Sequence, residues 1–172
     1  IGTGKDRVAH IYYAKSSRCS APLYVINCAY LNDKSWTFIS NHYNSPFTDN
    51  GNTIYISNID QLPPSRQKQL LSILLDTNVH IRNRLILSCV QPAGENLPHA
   101  AVEYSNALGC ILTAITPLRQ QKEDIGASAN LYLNALNRDL GKQVVGFEEN
   151  ALKLLVSYDY PYNRTQFKRI LK

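Results

Sequence analysis

The chain has 172 residues, of which 44% are hydrophobic and 18% are charged, and this balance excludes an intrinsically disordered segment. No apolar run approaches the roughly 20 residues that span a bilayer, which excludes a membrane-spanning helix. The formal net charge of +5 permits nucleic-acid contact, but Lys and Arg form no stripe and no patch interleaved with aromatic residues. We therefore interpret the charge as a solvated surface.

The first two thirds of the chain predict alternating helices and strands. Near-continuous apolar runs separated by helices indicate a parallel sheet that is covered on both faces. Val8, Ile11 and Tyr12 are expected on one side of the first helix, and Ser65 is a candidate cap for the second. The predicted helices cover 4–16 and 63–78, and the predicted strands cover 22–31, 52–59, 84–91 and 109–115.

The pattern changes after Pro117. Helical spacing predicts helices over 122–142, 148–159 and 163–172, with no strand between them. The sequence thus predicts an α/β core over 1–117 and a small helical subdomain over 118–172.

The chain begins with Gly2-Thr3-Gly4-Lys5, followed by Asp6. Glycines before a helix, with a Lys at its start, are typical of a loop whose backbone N–H groups surround phosphate oxygens while the Lys contacts the β and γ phosphates. The first glycine of such a motif would precede residue 1, and Asp6 replaces the Ser or Thr that ligates Mg²⁺. A tight turn at a helix start explains the same residues, so the motif alone is weak.

Five segments along nearly the whole chain resemble, in the same order, the AAA+ domain of sigma-54-dependent bacterial transcription activators. In that family an acidic residue commonly follows the Lys, as Asp6 does here. The resemblance implies a P-loop NTPase fold of three layers with a helical lid, and ATP or ADP as ligand. The segments are GTGKDRVAHIYY, LYVINCAYL, NGNTIYISNIDQLPPSRQKQLLSIL, PLRQQKEDI and GFEENALKLLVSYDYPYNRTQFKRIL.

The chain departs from the family where hydrolysis is carried out. The Asp and Glu that face Mg²⁺ and activate water align with Ser57 and Asn58, whose neutral side chains cannot replace a carboxylate. Asp60 lies two residues beyond the second of these positions and is the nearby carboxylate considered as a replacement for the missing acids. The missing acids argue against a well-held Mg²⁺.

Other positions of the family's site also differ. The sensor Asn aligns with Gln91, and the sensor Arg of the lid aligns with Thr165, next to Arg164, which could contact a phosphate in its place. The two arginine fingers align with Ala101 and Ala107. Loss of one such arginine typically lowers the rate by about 10³ or more.

The segment between Ala29 and Gly51 is short and lacks the family's GAFTGA sequence, which engages sigma-54. The chain therefore resembles a short, degenerate subgroup, and contact with sigma-54 or RNA polymerase is not expected. The resemblance further implies a homo-oligomer, a DNA-binding helix-turn-helix after residue 172 and a sensory or receiver domain before residue 1.

The remaining candidates have ordinary structural explanations. The cysteines are scattered and predict buried free thiols in a reducing cytoplasm, and the histidines, including His42, lack metal-ligand spacing. Asn27 and Cys28 are explained by a buried strand. Tyr158, Tyr160 and Tyr162 are expected to pack the lid, with stacking on an adenine as the alternative.

The sequence predicts a degenerate AAA+ domain of a bacterial transcriptional regulator that serves oligomerisation or signal transmission with weak nucleotide binding. One alternative is an active ATPase that remodels sigma-54 polymerase. Another is a sensor whose relic nucleotide pocket binds a different phosphorylated or cyclic-nucleotide effector.

Overall fold

The computed structural model describes residues 1–41, 43, 45–92 and 94–172. These residues form two compact units, which we call the helical unit (Ile1–Lys5 and Ala114–Lys172) and the sheet unit (Asp6–Thr113). Each unit contains its own cluster of buried apolar side chains. In the described part of the chain, no helix is long and apolar enough to cross a membrane.

The sheet unit contains three parallel strands in the order β1 (Leu23–Asn27), β2 (Thr53–Ser57) and β3 (Arg84–Leu87). All five residues of the central strand β2 are buried, as expected for a parallel strand covered on both faces. The predicted parallel sheet is therefore confirmed.

The two faces of β2 meet different helices. Ile54 and Ile56 share one buried cluster with Leu70 and Leu74, which belong to helix α3 (Pro64–Asp76). Burying an aliphatic side chain of this size contributes about 1.5–3 kcal/mol. Tyr55 points to the opposite face, because side chains alternate along a strand, and its hydroxyl contacts helix α1 (Lys5–Ala14).

Local sequence explains where α3 begins. Pro64 occupies its first turn, a position at which proline's missing N–H is harmless. Leu70, Leu71 and Leu74 then form its buried stripe. The residue before the helix is Pro63, without a side-chain cap, so the expected cap by Ser65 is wrong. The other helices of this unit are α2 (Asp33–Ile39), α4 (Val79–Arg82) and α5 (His99–Leu108).

One further expectation is wrong. The apolar run 109–115 forms no strand: Gly109 ends α5 in a left-handed conformation (φ 64°), and Ile111 is 95% exposed. Helix α1 has Val8, Ile11 and Tyr12 on one side, as expected, but its buried residue is Ala9, whereas Ile11 and Tyr12 are exposed. Hydrophobicity alone does not reveal whether a neighbouring element covers an apolar residue.

The helical unit contains the three predicted helices, α6 (Glu123–Leu140), α7 (Glu149–Ser157) and α8 (Asn163–Leu171). Helix α6 ends at Gly141, whose left-handed backbone (φ 63°) lets its N–H bond to the Asn137 carbonyl. A 3₁₀ turn at Leu118–Gln120 precedes these helices. The core consists of Leu118, Ile125, Ala129, Tyr160 and Phe167.

Candidate functional site

The glycine loop at the start of the chain is held against the first turn of α8. The Arg164 N–H donates a 3.0 Å hydrogen bond to the Gly2 carbonyl. Gly2 and Gly4 both have positive φ angles, 73° and 93°, which glycine adopts at little cost. The loop conformation thus depends on the glycines of the predicted motif.

Asn163 is the residue that joins the loop to the rest of the helical unit. Its Nδ2 donates to the Ile1 carbonyl at 2.8 Å, and its Oδ1 accepts the Leu118 N–H at 2.8 Å. The side chain is buried, and its left-handed backbone (φ 48°) places it at the start of α8. No role was predicted for Asn163 from the sequence, although it lies two residues before Thr165, the position aligned with the family's sensor Arg.

Gly2 and Gly4 differ in how much room surrounds them. A Cβ on Gly2 would lie 2.3 Å from the Tyr162 carbonyl oxygen and 3.1 Å from Thr165 Oγ1. A Cβ on Gly4 would meet only Arg164 Cδ, at 3.8 Å. The structure therefore brings the two predicted lid positions to the glycine loop, with Thr165 beside Gly2 and Arg164 beside Gly4.

The guanidinium of Arg164 has one hydrogen-bond partner among the described residues, the Gln121 Oε1 at 3.4 Å. This distance is long for a hydrogen bond that a cation donates. Within the helical unit, the loop thus combines two glycines of positive φ with an adjacent arginine, and it ends at Lys5. Such a set suits the phosphate groups of a nucleotide.

Asp6 belongs to the sheet unit, where it contacts the central strand. Tyr55 Oη donates to Asp6 Oδ1 at 2.7 Å and pairs with Ser88 Oγ at 3.0 Å. Burial raises the pKa of Tyr55 far above its ordinary value, and the hydrogen bond to Asp6 raises it further. The phenol therefore remains a donor to the carboxylate at any neutral pH. The roles of Tyr55 and Ser88 were not predicted from the sequence.

The end of β2 holds the two positions where acids are expected in the family. Ser57 is buried, and Asn58 adopts a left-handed conformation (φ 58°). Asn58 Nδ2 donates to Asn27 Oδ1 at 2.7 Å, and the same oxygen accepts the Ala29 N–H at 3.1 Å. The amide of Asn58 is thus used in joining the ends of β1 and β2.

Asp60 and Gln91 are engaged in local contacts. Asp60 Oδ1 accepts the Val90 N–H at 2.9 Å, and its Oδ2 accepts Gln61 Nε2 at 2.7 Å. Gln91 is exposed, and its Nε2 donates to the Glu95 carbonyl at 2.8 Å. The carboxylate of Asp60 thus supports the backbone after β3, which argues against rescue of the missing acids.

The cysteines differ in burial, and burial sets the reactivity of their thiols. The four cysteines are free thiols; Cys28 is buried, whereas Cys19 is exposed, against expectation. Burial raises the pKa of Cys28 to about 12, so its thiolate is scarce at neutral pH.

Tyr160 is buried, with its ring 5.1 Å from the Tyr158 ring and 5.5 Å from the Phe167 ring, so its expected packing role is confirmed.

The structure tests the prediction that the histidines bind no metal only in part, because His42 lies outside the described residues. Among the described residues, no three His, Cys, Asp or Glu side chains are grouped so that they could hold a metal ion. Tyr162 is exposed.

Sequence comparison identifies bacterial regulators as relatives. The chain is 28% identical to the transcriptional regulatory protein ZraR of Escherichia coli, over 94% of this chain and 42% of that protein. It is 24% identical to the DNA-binding transcriptional regulator NtrC of Proteus hauseri, over 99% of this chain and 41% of that protein. The chain thus spans less than half the length of these relatives. No family model matches it.

Structural comparison identifies the fold. NtrX from Brucella abortus in complex with ADP has a TM-score of 0.79 and 19% identity, covering 99% of this chain and 43% of that one. The same protein in complex with ATP has a TM-score of 0.78 and 18% identity, covering 99% and 44%. The chain has the α/β P-loop NTPase fold, and the comparisons support its resemblance to the AAA+ domains of sigma-54-dependent regulators.

Proposed function

We propose that this chain is the AAA+ module of a bacterial transcriptional regulator, and that it binds ATP or ADP without hydrolysing ATP efficiently. The observation that carries this proposal is the end of β2, where Ser57 is buried and the Asn58 amide bonds to Asn27. Neither side chain can deprotonate water or neutralise a metal ion. The absence of arginines at Ala101 and Ala107 would lower the rate further.

Nucleotide binding is supported by the glycine loop. Gly2, Thr3, Gly4 and Lys5 would surround phosphate oxygens, and Asp6 follows them at the head of α1. The structurally similar NtrX binds ADP and ATP. Arg164, which lies beside Gly4, would contact a phosphate in place of the arginine that the family carries at Thr165.

The module would serve oligomerisation or signal transmission in the cytoplasm. A homo-oligomer, and DNA contact through a flanking domain, are proposed from the resemblance and from relatives that are transcriptional regulators by name. No contact with sigma-54 is proposed, because the segment between Ala29 and Gly51 contains no GAFTGA sequence.

The test is phosphate release from ATP and Mg²⁺ by the wild-type chain and by Lys5→Ala. We expect equal, background rates, because the acids and arginines are missing from both proteins. Release by the wild type at more than ten times the Lys5→Ala rate would overturn the proposal in favour of an active ATPase.

A further inference from the structure

A polar cleft lies in the sheet unit, away from the end of β2. Its volume is about 390 Å³, and its polar lining includes Arg18, His80, Asn83 and Arg84. We call it the arginine cleft. Arg84 is the first residue of β3 and pairs with Thr53, the first residue of β2. The cleft therefore lies at the amino ends of the strands, whereas Ser57 lies at a carboxyl end.

The charge of the arginine cleft is of one sign. Two arginines and a histidine line it, and no Asp or Glu is among the described residues that do so. Neighbouring cations without an acid repel one another, so their placement favours an anion between them. Elsewhere on the surface, Arg66 is paired with an acid, Asp33. No acid is among the described residues that line the arginine cleft.

The guanidinium groups of the cleft retain donors for a ligand. Arg82, two residues before Arg84, donates to the carbonyls of Phe47, Thr48 and Thr77 and is thus a structural residue. In the described part of the chain, the Arg84 side chain has no hydrogen bond or ion pair, and Arg18 makes a single 3.4 Å contact with the Asn52 carbonyl.

Hydrogen bonds within the protein hold the side chain of one lining residue, Asn83, in place. The buried Asn83 side chain accepts the Asn52 N–H at 2.9 Å and donates to the Asp49 carbonyl at 2.8 Å. Beside Arg84 in the sheet register, the buried Thr53 hydroxyl has no hydrogen-bond partner among the described residues. Buried hydroxyls are normally paired, so this end of the sheet has an unused polar group.

We propose that the arginine cleft binds the phosphate group of a small phosphomonoester. Arg18 and Arg84 would donate to the phosphate oxygens, for which the planar guanidinium is well suited. The cleft is larger than a phosphate ion and also has apolar lining from Ile81, Leu85 and Leu108. These side chains would contact the organic part of the ligand.

The test is isothermal titration with inorganic phosphate and with AMP at constant ionic strength. All proteins carry Lys5→Ala, which removes the lysine of the glycine loop as a competing phosphate contact. The test variant is Arg84→Gln, and the matched control is Arg169→Gln, because Arg169 is exposed in the last turn of α8. Circular dichroism at the titration temperature identifies variants that fail to fold, and Arg18→Gln replaces Arg84→Gln in that case.

We expect the parent and Arg169→Gln to bind phosphate equally, and AMP to bind more tightly than phosphate. Arg84→Gln should weaken both affinities about tenfold, the effect of losing one charge-assisted hydrogen bond. No binding by the parent, or equal affinities for the parent and Arg84→Gln, would overturn the proposal. Because the parent lacks Lys5, failure here leaves the proposed nucleotide binding by the glycine loop unaffected.

Discussion

At the scale of single residues, Asn163 joins two separate segments of the helical unit. Its side chain makes hydrogen bonds to two backbone groups that lie far apart in sequence, the Ile1 carbonyl and the Leu118 N–H. Asparagine tolerates the left-handed backbone (φ 48°) better than most residues. The amide group supplies both a donor and an acceptor, which neither Asp nor Leu could do.

We predict that Asn163→Ala lowers the free energy of unfolding of the helical unit by about 2–4 kcal/mol, because the buried Leu118 N–H and the partly buried Ile1 carbonyl lose their partner. Asn137→Ala is the matched control: Asn137 also bonds to one N–H and one carbonyl, both of Val144, but it does so at an exposed site. The control should cost less than about 1 kcal/mol, since water replaces its partners. Urea unfolding measures both, and equal losses would contradict the assigned role.

At the scale of elements, Tyr55 connects the central strand to the helix that follows the glycine loop. The phenol lies between Asp6 of α1 and Ser88, just after β3. Three segments of the sheet unit thus share one hydroxyl, which is 49 residues from Asp6 and 33 from Ser88 in sequence. A phenylalanine at this position would fill the same space but would leave the head of α1 without this contact.

We predict that Tyr55→Phe lowers the free energy of unfolding at pH 8 by about 1.5–3 kcal/mol, the range for hydrogen bonds to charged groups. Burial is the main cause of the raised pKa of Tyr55 in the folded state; the hydrogen bond with Ser88 lowers this pKa, and the hydrogen bond to Asp6 raises it. The stabilisation is therefore complete below the unfolded pKa near 10 and is lost as the pH rises above it. The difference between wild type and Tyr55→Phe should shrink between pH 9 and pH 11. A difference that is constant or grows over this range in urea titrations would refute the assignment.

At the scale of the whole molecule, the candidate nucleotide positions are divided between the two units. Residues 1–5 belong to the helical unit, whereas Asp6, Ser57 and Asn58 belong to the sheet unit. The proposed phosphate binding by Gly2, Gly4, Lys5 and Arg164 would not require a metal ion. In the sheet unit, the Asp6 carboxylate accepts a hydrogen bond from the Tyr55 hydroxyl, and the Asp60 carboxylate accepts one from the Val90 N–H.

We predict that ATP raises the melting temperature of the wild-type chain equally with Mg²⁺ and with EDTA. At 100 times its Kd, ATP should raise it by about 5–10 °C. Lys5→Ala should remove most of this shift when both proteins also carry Arg84→Gln, which weakens phosphate binding in the arginine cleft. A shift that requires Mg²⁺ would mean that a carboxylate holds the metal, contrary to the proposed site. An undiminished shift in the protein that carries both substitutions would place the nucleotide elsewhere.

The amino-acid sequence determined the features that depend on local pattern. Apolar runs and helical spacing predicted the parallel sheet and the three helices after Pro117, and collinear motifs predicted the P-loop NTPase fold, because these signals are contained in neighbouring residues. The absence of acids at Ser57 and Asn58 is likewise a property of the sequence.

The tertiary structure decided what each polar group contacts. The apolar run 109–115 is irregular, since no strand of the described residues pairs with it, and the Asp60 carboxylate accepts the Val90 N–H. The tertiary structure also placed Asn163 against Ile1, 162 residues away in sequence, and gathered Arg18 and Arg84 in one cleft. Such contacts join residues that are distant along the chain, so no local pattern of hydrophobicity or spacing encodes them.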